Sequence, residues 1–370
     1  MLYAHLVLAI MLAAANQTQT SSDERWSVES INAWYAARPW LAGCNYIPSS
    51  AINQLEMWQA DTFDADINDR ELGYAAGLGF NTVRVYLHDI PYRDDPDGFL
   101  DRMDQFLAIA NRHGIAPLFV LFDSCWDPLP QAGKQRDPKP HLHNSGWVQG
   151  PSVEILKDPA RYAEVEPYVT AVLTRFRDDA RVLGWDLYNE PGNNNANSYG
   201  SLDLPNKEAM SLSFLEQVYR WARDAQPSQP LTVGVWTGDW ADPQALSPLN
   251  KFMLDHSDFI SFHSYAPIDE VRSRVESLAQ YGRPIVCTEY MARTAGSIFN
   301  DVMPYLKDQN IGAYNWGLVS GKSQTIYPWE SWTKEFAEEP PTWFHDILRP
   351  DGTPFDPAEV TLIRSLTGER

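Results

Sequence analysis

Two glutamates stand at the ends of short apolar runs in this 370-residue chain. Glu190 closes Trp185-Asp186-Leu187-Tyr188-Asn189-Glu190-Pro191, and Glu289 lies in Pro284-Ile285-Val286-Cys287-Thr288-Glu289-Tyr290. A pair of carboxyl groups flanking one bond is what glycoside cleavage needs. One donates a proton to the leaving oxygen, and the other acts from the opposite face as nucleophile or base. Their surroundings have to differ, because one holds its proton near neutral pH while the other stays ionised. Arg84 is placed to keep one glutamate charged, and Tyr265, in Phe262-His263-Ser264-Tyr265, to donate a hydrogen bond to the same group. Trp316 offers a flat floor for a sugar ring.

The elements that must position these residues recur as a unit: a short apolar run, a polar loop, then an amphipathic helix. Candidate strands are Trp40–Tyr46, Thr82–Leu87, Pro117–Phe122, Val182–Tyr188, Leu231–Trp236, Phe259–His263, Pro284–Glu289 and Gly312–Gly317. They read as continuous apolar segments, as strands covered on both faces do. Asp95-Pro96 caps a helix with Leu100, Met103, Phe106, Leu107 and Ala110 at 3–4 spacing, and Gly114 ends it. Asp158-Pro159 opens another, with Val165, Tyr168, Val169, Val172, Leu173 and Phe176 on one face; Pro167 leaves its start open.

Eight such units point to an α/β fold, a (β/α)₈ TIM barrel in one domain. A doubly wound open sheet is the alternative, but no glycine-rich phosphate turn follows the first strand. On a barrel, segments after strands face the active site. Two are long: Ser124–Lys157 after the third strand, with Trp126 and Trp147, and Leu318–Pro341 after the eighth, with Trp329 and Trp332. Loops of this length are usually functional or disordered.

Composition narrows the partners. A net charge of −20 argues against nucleic acid. The 14 Trp, 17 Tyr and 15 Phe suit packing or stacking on a ligand. The apolar run Leu6–Ala15 is too short to span a bilayer and fits a signal peptide, although the usual positive residues before it are missing. Residues 1–20 are therefore expected to be a signal peptide and 21–370 the catalytic domain, secreted or periplasmic. Cys44, Cys125 and Cys287 make no disulfide framework and read as buried free thiols. His141 and His143 sit two apart but lack strand-end metal ligands, so they read as solvated loop residues; no metal and no cofactor is expected.

The chain resembles glycoside hydrolase family 5, the cellulase and mannanase family of retaining (β/α)₈ glycosidases, over roughly residues 30–350. The matching positions are Arg84, Asn189, Glu190, His263, Tyr265, Glu289 and Trp316. The resemblance implies that Glu190 is the acid/base and Glu289 the nucleophile. It implies that Asn189 binds the 2-hydroxyl of the −1 sugar, and that His263 and Tyr265 position the glutamates. One departure stands out. The family often has a His just after strand three, where this chain reads Phe122-Asp123-Ser124-Cys125-Trp126. Asp123, Trp126 or His88 is expected to take over that contact, and Lys322 or Gln324 to reach over the cleft.

The resulting expectation is a monomeric retaining β-glycosidase acting on β-1,4-linked glucosyl or mannosyl oligo- or polysaccharides. The Ser124–Lys157 loop favours a walled pocket and β-mannosidase-like exo action. The alternatives are an endo-β-1,4-glucanase, mannanase or xylanase and, from another class, a non-catalytic glycan-binding barrel.

Overall fold

The computed structural model describes residues 25–368, so the expected signal segment 1–20 lies outside the described residues. Eight parallel strands form the barrel: β1 Ala42–Tyr46, β2 Thr82–Tyr86, β3 Ala116–Val120, β4 Gly184–Asp186, β5 Leu231–Thr232, β6 Ile260–His263, β7 Ile285–Tyr290 and β8 Gly312–Trp316. Their order is β5-β4-β3-β2-β1-β8-β7-β6. A single parallel bridge, Val235 to Phe262, joins the two ends. This is the expected (β/α)₈ barrel in one domain, and its strands are buried almost throughout, as their continuous apolar character requires.

β4 and β5 are shorter than the runs that predicted them. Beyond Asp186 and Thr232 the chain stays extended but is held by isolated contacts, Leu187 N–H to Thr232 O at 2.9 Å and His263 N–H to Val235 O at 3.0 Å.

The helix expected after Asp95 spans Pro96–Arg112, with the Asp95 carboxylate accepting from Gly98 N–H and Phe99, Met103, Phe106, Leu107 and Ala110 buried. The second differs from expectation. Asp158 caps a 3₁₀ turn, Pro159–Glu164, and the α-helix starts only at Glu166. Pro167 fits the first turn of that helix, where its missing N–H has no partner to lose. At the opposite end of the barrel, a helix at Val28–Ala36 packs Ile31 and Tyr35 on Leu118, Leu183, Phe259, Val286 and Tyr314.

The long loops after β3 and β8 are bound to each other. His143 Nδ1 lies 2.7 Å from Tyr327 O, His141 Nδ1 2.7 Å from Phe336 O, and Trp332 Nε1 donates to His143 O at 2.9 Å. His143 is thus buried rather than solvated, His141 is half-buried, and both clasp one loop to the other; burial pushes the His143 pKa down to about 4. Gln324 takes part, accepting from His141 N–H and donating to Lys139 O, while Lys322 pairs with Glu56. Neither reaches over the cleft as expected, because each is already engaged by neighbouring backbone or carboxylate. Among the described residues no helix is long and apolar enough to cross a membrane.

Candidate active site

Arg84 is the hub at the carboxyl end of the barrel. It is fully buried on β2, a place where an unpaired guanidinium would be prohibitive. Its Nε and Nη2 hold Asp186 Oδ2 at 3.0 and 2.8 Å, Nη2 holds Asn189 Oδ1 at 2.7 Å, and Nη1 reaches Glu289 Oε1 at 2.8 Å. Tyr86 donates to the same Glu289 oxygen at 2.9 Å, and Tyr265 to Oε2 at 2.7 Å. Glu289 thus accepts from one cation and two hydroxyls. Burial pushes its carboxyl above the usual range, while the His263, Arg84 and Tyr265 neighbours pull the other way.

Glu190 is held by neutral groups instead. His263 Nδ1 lies 2.8 Å from Oε1, and Asn193 Nδ2 and Cys125 Sγ donate to Oε2 at 2.8 and 3.2 Å. Burial raises this carboxyl as well. It also holds the His263 pKa down to about 4, so the imidazole is neutral at pH 7, and facing an ionised Glu190 it carries its proton on Nδ1 and donates. Glu190 has φ +42°, although a residue before proline normally stays extended. Such backbone strain costs about 1–3 kcal/mol and clusters where side-chain aim matters.

The cleft above these groups has a volume of about 500 Å³. Trp126, Trp147, Trp316, Trp329 and Trp332 line it. Trp126 stacks on Trp332 at 5.6 Å between centroids and 19° between planes. Trp316 packs 5.8 Å from both Tyr86 and Trp147.

Arg84, Asn189, Glu190, His263, Tyr265, Glu289 and Trp316 therefore converge, and Trp126 faces the same cleft. Asp123 and His88 lie behind its wall and do not line it. Asp123 is enclosed by donors: Asn189 Nδ2 at 2.9 Å, Trp147 Nε1 at 2.6 Å, Gln54 Nε2 at 3.2 Å and Cys125 N–H at 3.0 Å. His88 caps the helix Asp89–Asp94 and meets Gln149 O at 2.8 Å. Each is saturated by protein partners, so neither makes the sugar contact expected of it.

Four participants escaped the sequence reading. Tyr86 had a usable signal, since it follows Arg84 by two on one strand and so shares its face. Cys125 was legible only as a buried thiol, and Asn193 and the cleft residue His345 carried no signal. One atom each from Glu190, His263 and Glu289 lie within 4.8 Å of one another. As a metal site the group is poor. Arg84 sets a fixed positive charge against Glu289, and His263 Nδ1 is a donor to Glu190.

A parallel barrel with a carboxyl pair over the ends of its fourth and seventh strands is an arrangement suited to glycoside cleavage, and the family of the chain makes it a glycoside hydrolase. The chain belongs to glycosyl hydrolase family 5, whose cellulase sequence model matches residues 52–322. Over 175 residues it is 24% identical to endo-1,4-β-xylanase A of Thermoanaerobacterium saccharolyticum, which covers 44% of this chain and 15% of that much longer protein. Among solved structures it is similar to GH5_18 of Streptomyces cattleya in complex with Manβ1-4GlcNAc, with a TM-score of 0.59, 15% identity, and coverage of 89% of this chain and 80% of that one. The exo-β-1,4-mannosidase of Opitutaceae bacterium strain TAV5 gives 0.58 at 17% identity, over 89% and 59%. A β-1,4-mannanase of the sea hare Aplysia kurodai gives 0.55 at 18%, over 75% and 88%. At these identities the likeness to solved structures concerns the fold alone.

Proposed function

We propose that the protein is a retaining β-glycosidase releasing single sugars or short products from β-1,4-linked mannosyl or glucosyl oligosaccharides. The observation that supports the mechanism is the close approach of the two glutamates, one oxygen of each lying within 4.8 Å of the other, on the short side of what carboxyls held apart for a water would show. Retaining enzymes keep their carboxyls about 5–5.5 Å apart, whereas inverting ones need about 6.5–9.5 Å to admit a water.

In this reading Glu289 attacks the anomeric carbon while Glu190 gives its proton to the leaving oxygen. The sugar becomes an ester of Glu289. Glu190, now a carboxylate, takes a proton from water, whose oxygen displaces Glu289 from the anomeric carbon. Arg84, Tyr86 and Tyr265 favour the ionised form of Glu289 and so make it a better leaving group in that second step. Asn189, held between Arg84 and Asp123, lines the cleft and is the residue the resemblance assigns to the 2-hydroxyl, with the second lone pair of its Oδ1 open to accept from it.

Exo action is supported by the wall made by the clasped loops and the Trp126–Trp332 stack. The mannosyl preference is supported by the sugars named for the neighbouring structures. Export, directed by the run Leu6–Ala15, belongs to the same proposal. The test is a panel of aryl β-mannoside, glucoside, xyloside and galactoside, with Glu190→Ala and Glu289→Ala as controls, followed by product chromatography on mannopentaose and cellopentaose. Early monosaccharide or disaccharide release with retained anomeric configuration is expected. Random mid-chain cuts would remove exo action, inversion would remove the covalent intermediate, and binding without turnover would leave a glycan-binding barrel.

A further inference from the structure

The Cys125 thiol occupies a position the mechanism above leaves unused. Its sulfur is 3.2 Å from Glu190 Oε2, 3.6 Å from Asn189 Nδ2 and 3.5 Å from Asn193 Nδ2. Only one arrangement satisfies all three contacts. The S–H donates to the carboxylate, and the sulfur accepts from the two amides, each of which has a second, oxygen partner. The thiol suits this because it is a weak donor and a weak acceptor that stays neutral. Burial and the neighbouring carboxylates push it well above the ordinary thiol range, so it keeps its proton.

The loops that deliver these groups are locked together behind the site. Lys207, buried, donates from Nζ to Ser124 O at 2.7 Å, Gln149 Oε1 at 2.8 Å, Asn193 O at 2.5 Å and Asp203 Oδ2 at 2.7 Å. One ammonium thereby fixes the residue before Cys125 and the backbone of Asn193 at once.

We propose that Cys125 is a positioning residue for Glu190, a thiol that couples the proposed acid/base to the amides of Asn189 and Asn193 and favours its ionised form in the second half of the reaction. The inference rests on the acid/base role proposed above for Glu190. The charged and titratable groups around Glu190 are His263 on β6, Tyr265 after it, Glu289 on β7, Arg84 on β2, and Cys125 and Asp123 after β3. Replacing Cys125 breaks no ion pair, and its sulfur is hydrogen-bonded only within the group under test, to Glu190, Asn189 and Asn193.

A donor to the ionised form lowers a carboxyl pKa, so deleting it raises that pKa. The experiment is the pH dependence of kcat/KM for wild type, Cys125→Ala and Cys125→Ser, using an aryl glycoside with a poor leaving group. The alkaline limb reports loss of the Glu190 proton. It is expected to move up by about half a pH unit or more in the Ala variant and to return toward wild type in the Ser variant, which restores an O–H donor. In the Ala variant kcat is expected to fall roughly three- to tenfold. A limb that stays put in both variants overturns the proposal, even if activity falls. A dinitrophenyl glycoside, whose leaving group needs no proton, separates the two failures. If Glu190→Ala leaves cleavage of poor leaving groups intact, the acid/base reading itself is wrong. If that variant loses poor but keeps good leaving groups while Cys125→Ala shows no shift, only the thiol's role is wrong.

Discussion

Arg84 Nη1 and Glu289 Oε1 lie 2.8 Å apart with almost no solvent at either side chain, and the same guanidinium holds Asp186 on its other edge. One cation thus compensates two buried carboxylates. Replacing it with the apolar Arg84→Met leaves both uncompensated. Breaking a buried pair in this way costs about 3–5 kcal/mol, and the lost charge lets Glu289 retain its proton. The variant is expected to unfold at markedly lower denaturant and to lose at least about a hundredfold in kcat/KM. Urea titration and aryl glycoside kinetics read the two effects separately. A variant of near wild-type stability would mean that the two carboxylates do not depend on Arg84 for their burial.

Asp123 accepts four hydrogen bonds and donates none, so it has to act as a carboxylate for its neighbours to stay in place. Asp123→Asn puts an N–H₂ where one pair of donors already points. The Asn189 amide or the Trp147 ring then has to shift. A ten- to hundredfold fall in kcat/KM is expected, with a loss of about 1–3 kcal/mol in fold stability from the unsatisfied buried donors. Burial raises the Asp123 pKa to about 6. Acidification below that value should disturb the wild type in the same way, and the acid limb of its pH profile should be steeper than that of the variant. Parallel acid limbs would assign the acid titration elsewhere.

The barrel was readable because strands covered on both faces are mostly apolar rather than alternating, a pattern that eight runs showed despite residues such as Arg84 and Asp186 within them. Glu190 and Glu289 were readable because a barrel delivers the end of each strand to one face. What could not be read depends on contacts between distant loops. Nothing near His143 in the chain announces Tyr327 O, 184 residues away, and nothing near Cys125 announces Glu190. The same blindness turned Asp123 and His88 into sugar ligands, since type and position fitted and only burial shows that their hydrogen bonds are already spent.

Trp332 holds the cleft wall in two ways, stacking on Trp126 and donating its indole N–H to His143 O. Trp332→Ala removes both without touching the glutamates. Hydrolysis of an aryl monosaccharide is expected to change less than about threefold, while the products from mannopentaose or cellopentaose lengthen as the closed end opens. Unaltered product ratios would show that the wall does not set the cleavage position.

His143 gives a pH-linked stability prediction. Burial lowers its pKa to about 4, from 6.5 for the free side chain. The unfolded chain therefore takes up a proton at about pH 6.5, whereas the folded chain does so only near pH 4. Between these values the unfolded state binds more protons, so this group's contribution to stability falls as pH falls through that window and levels off below it. His263 and His345, also lowered by burial, act in the same direction, while Asp123 and Asp346, raised to about 6, oppose it. Comparison with His143→Asn cancels His263, Asp123 and Asp346, which remain, while His345, whose pKa His143 helps to lower, is relieved in the variant and shifts the comparison in the same direction. At pH 7.5 the variant is expected to be the less stable, having lost ring packing against Trp126 and Phe344. At pH 4.5 the gap should shrink by on the order of 2 kcal/mol, since only the wild type carries the protonation penalty. Urea unfolding at the two pH values measures it. A gap that is the same at both would mean that the clasp to Tyr327 opens and admits water before the protein unfolds.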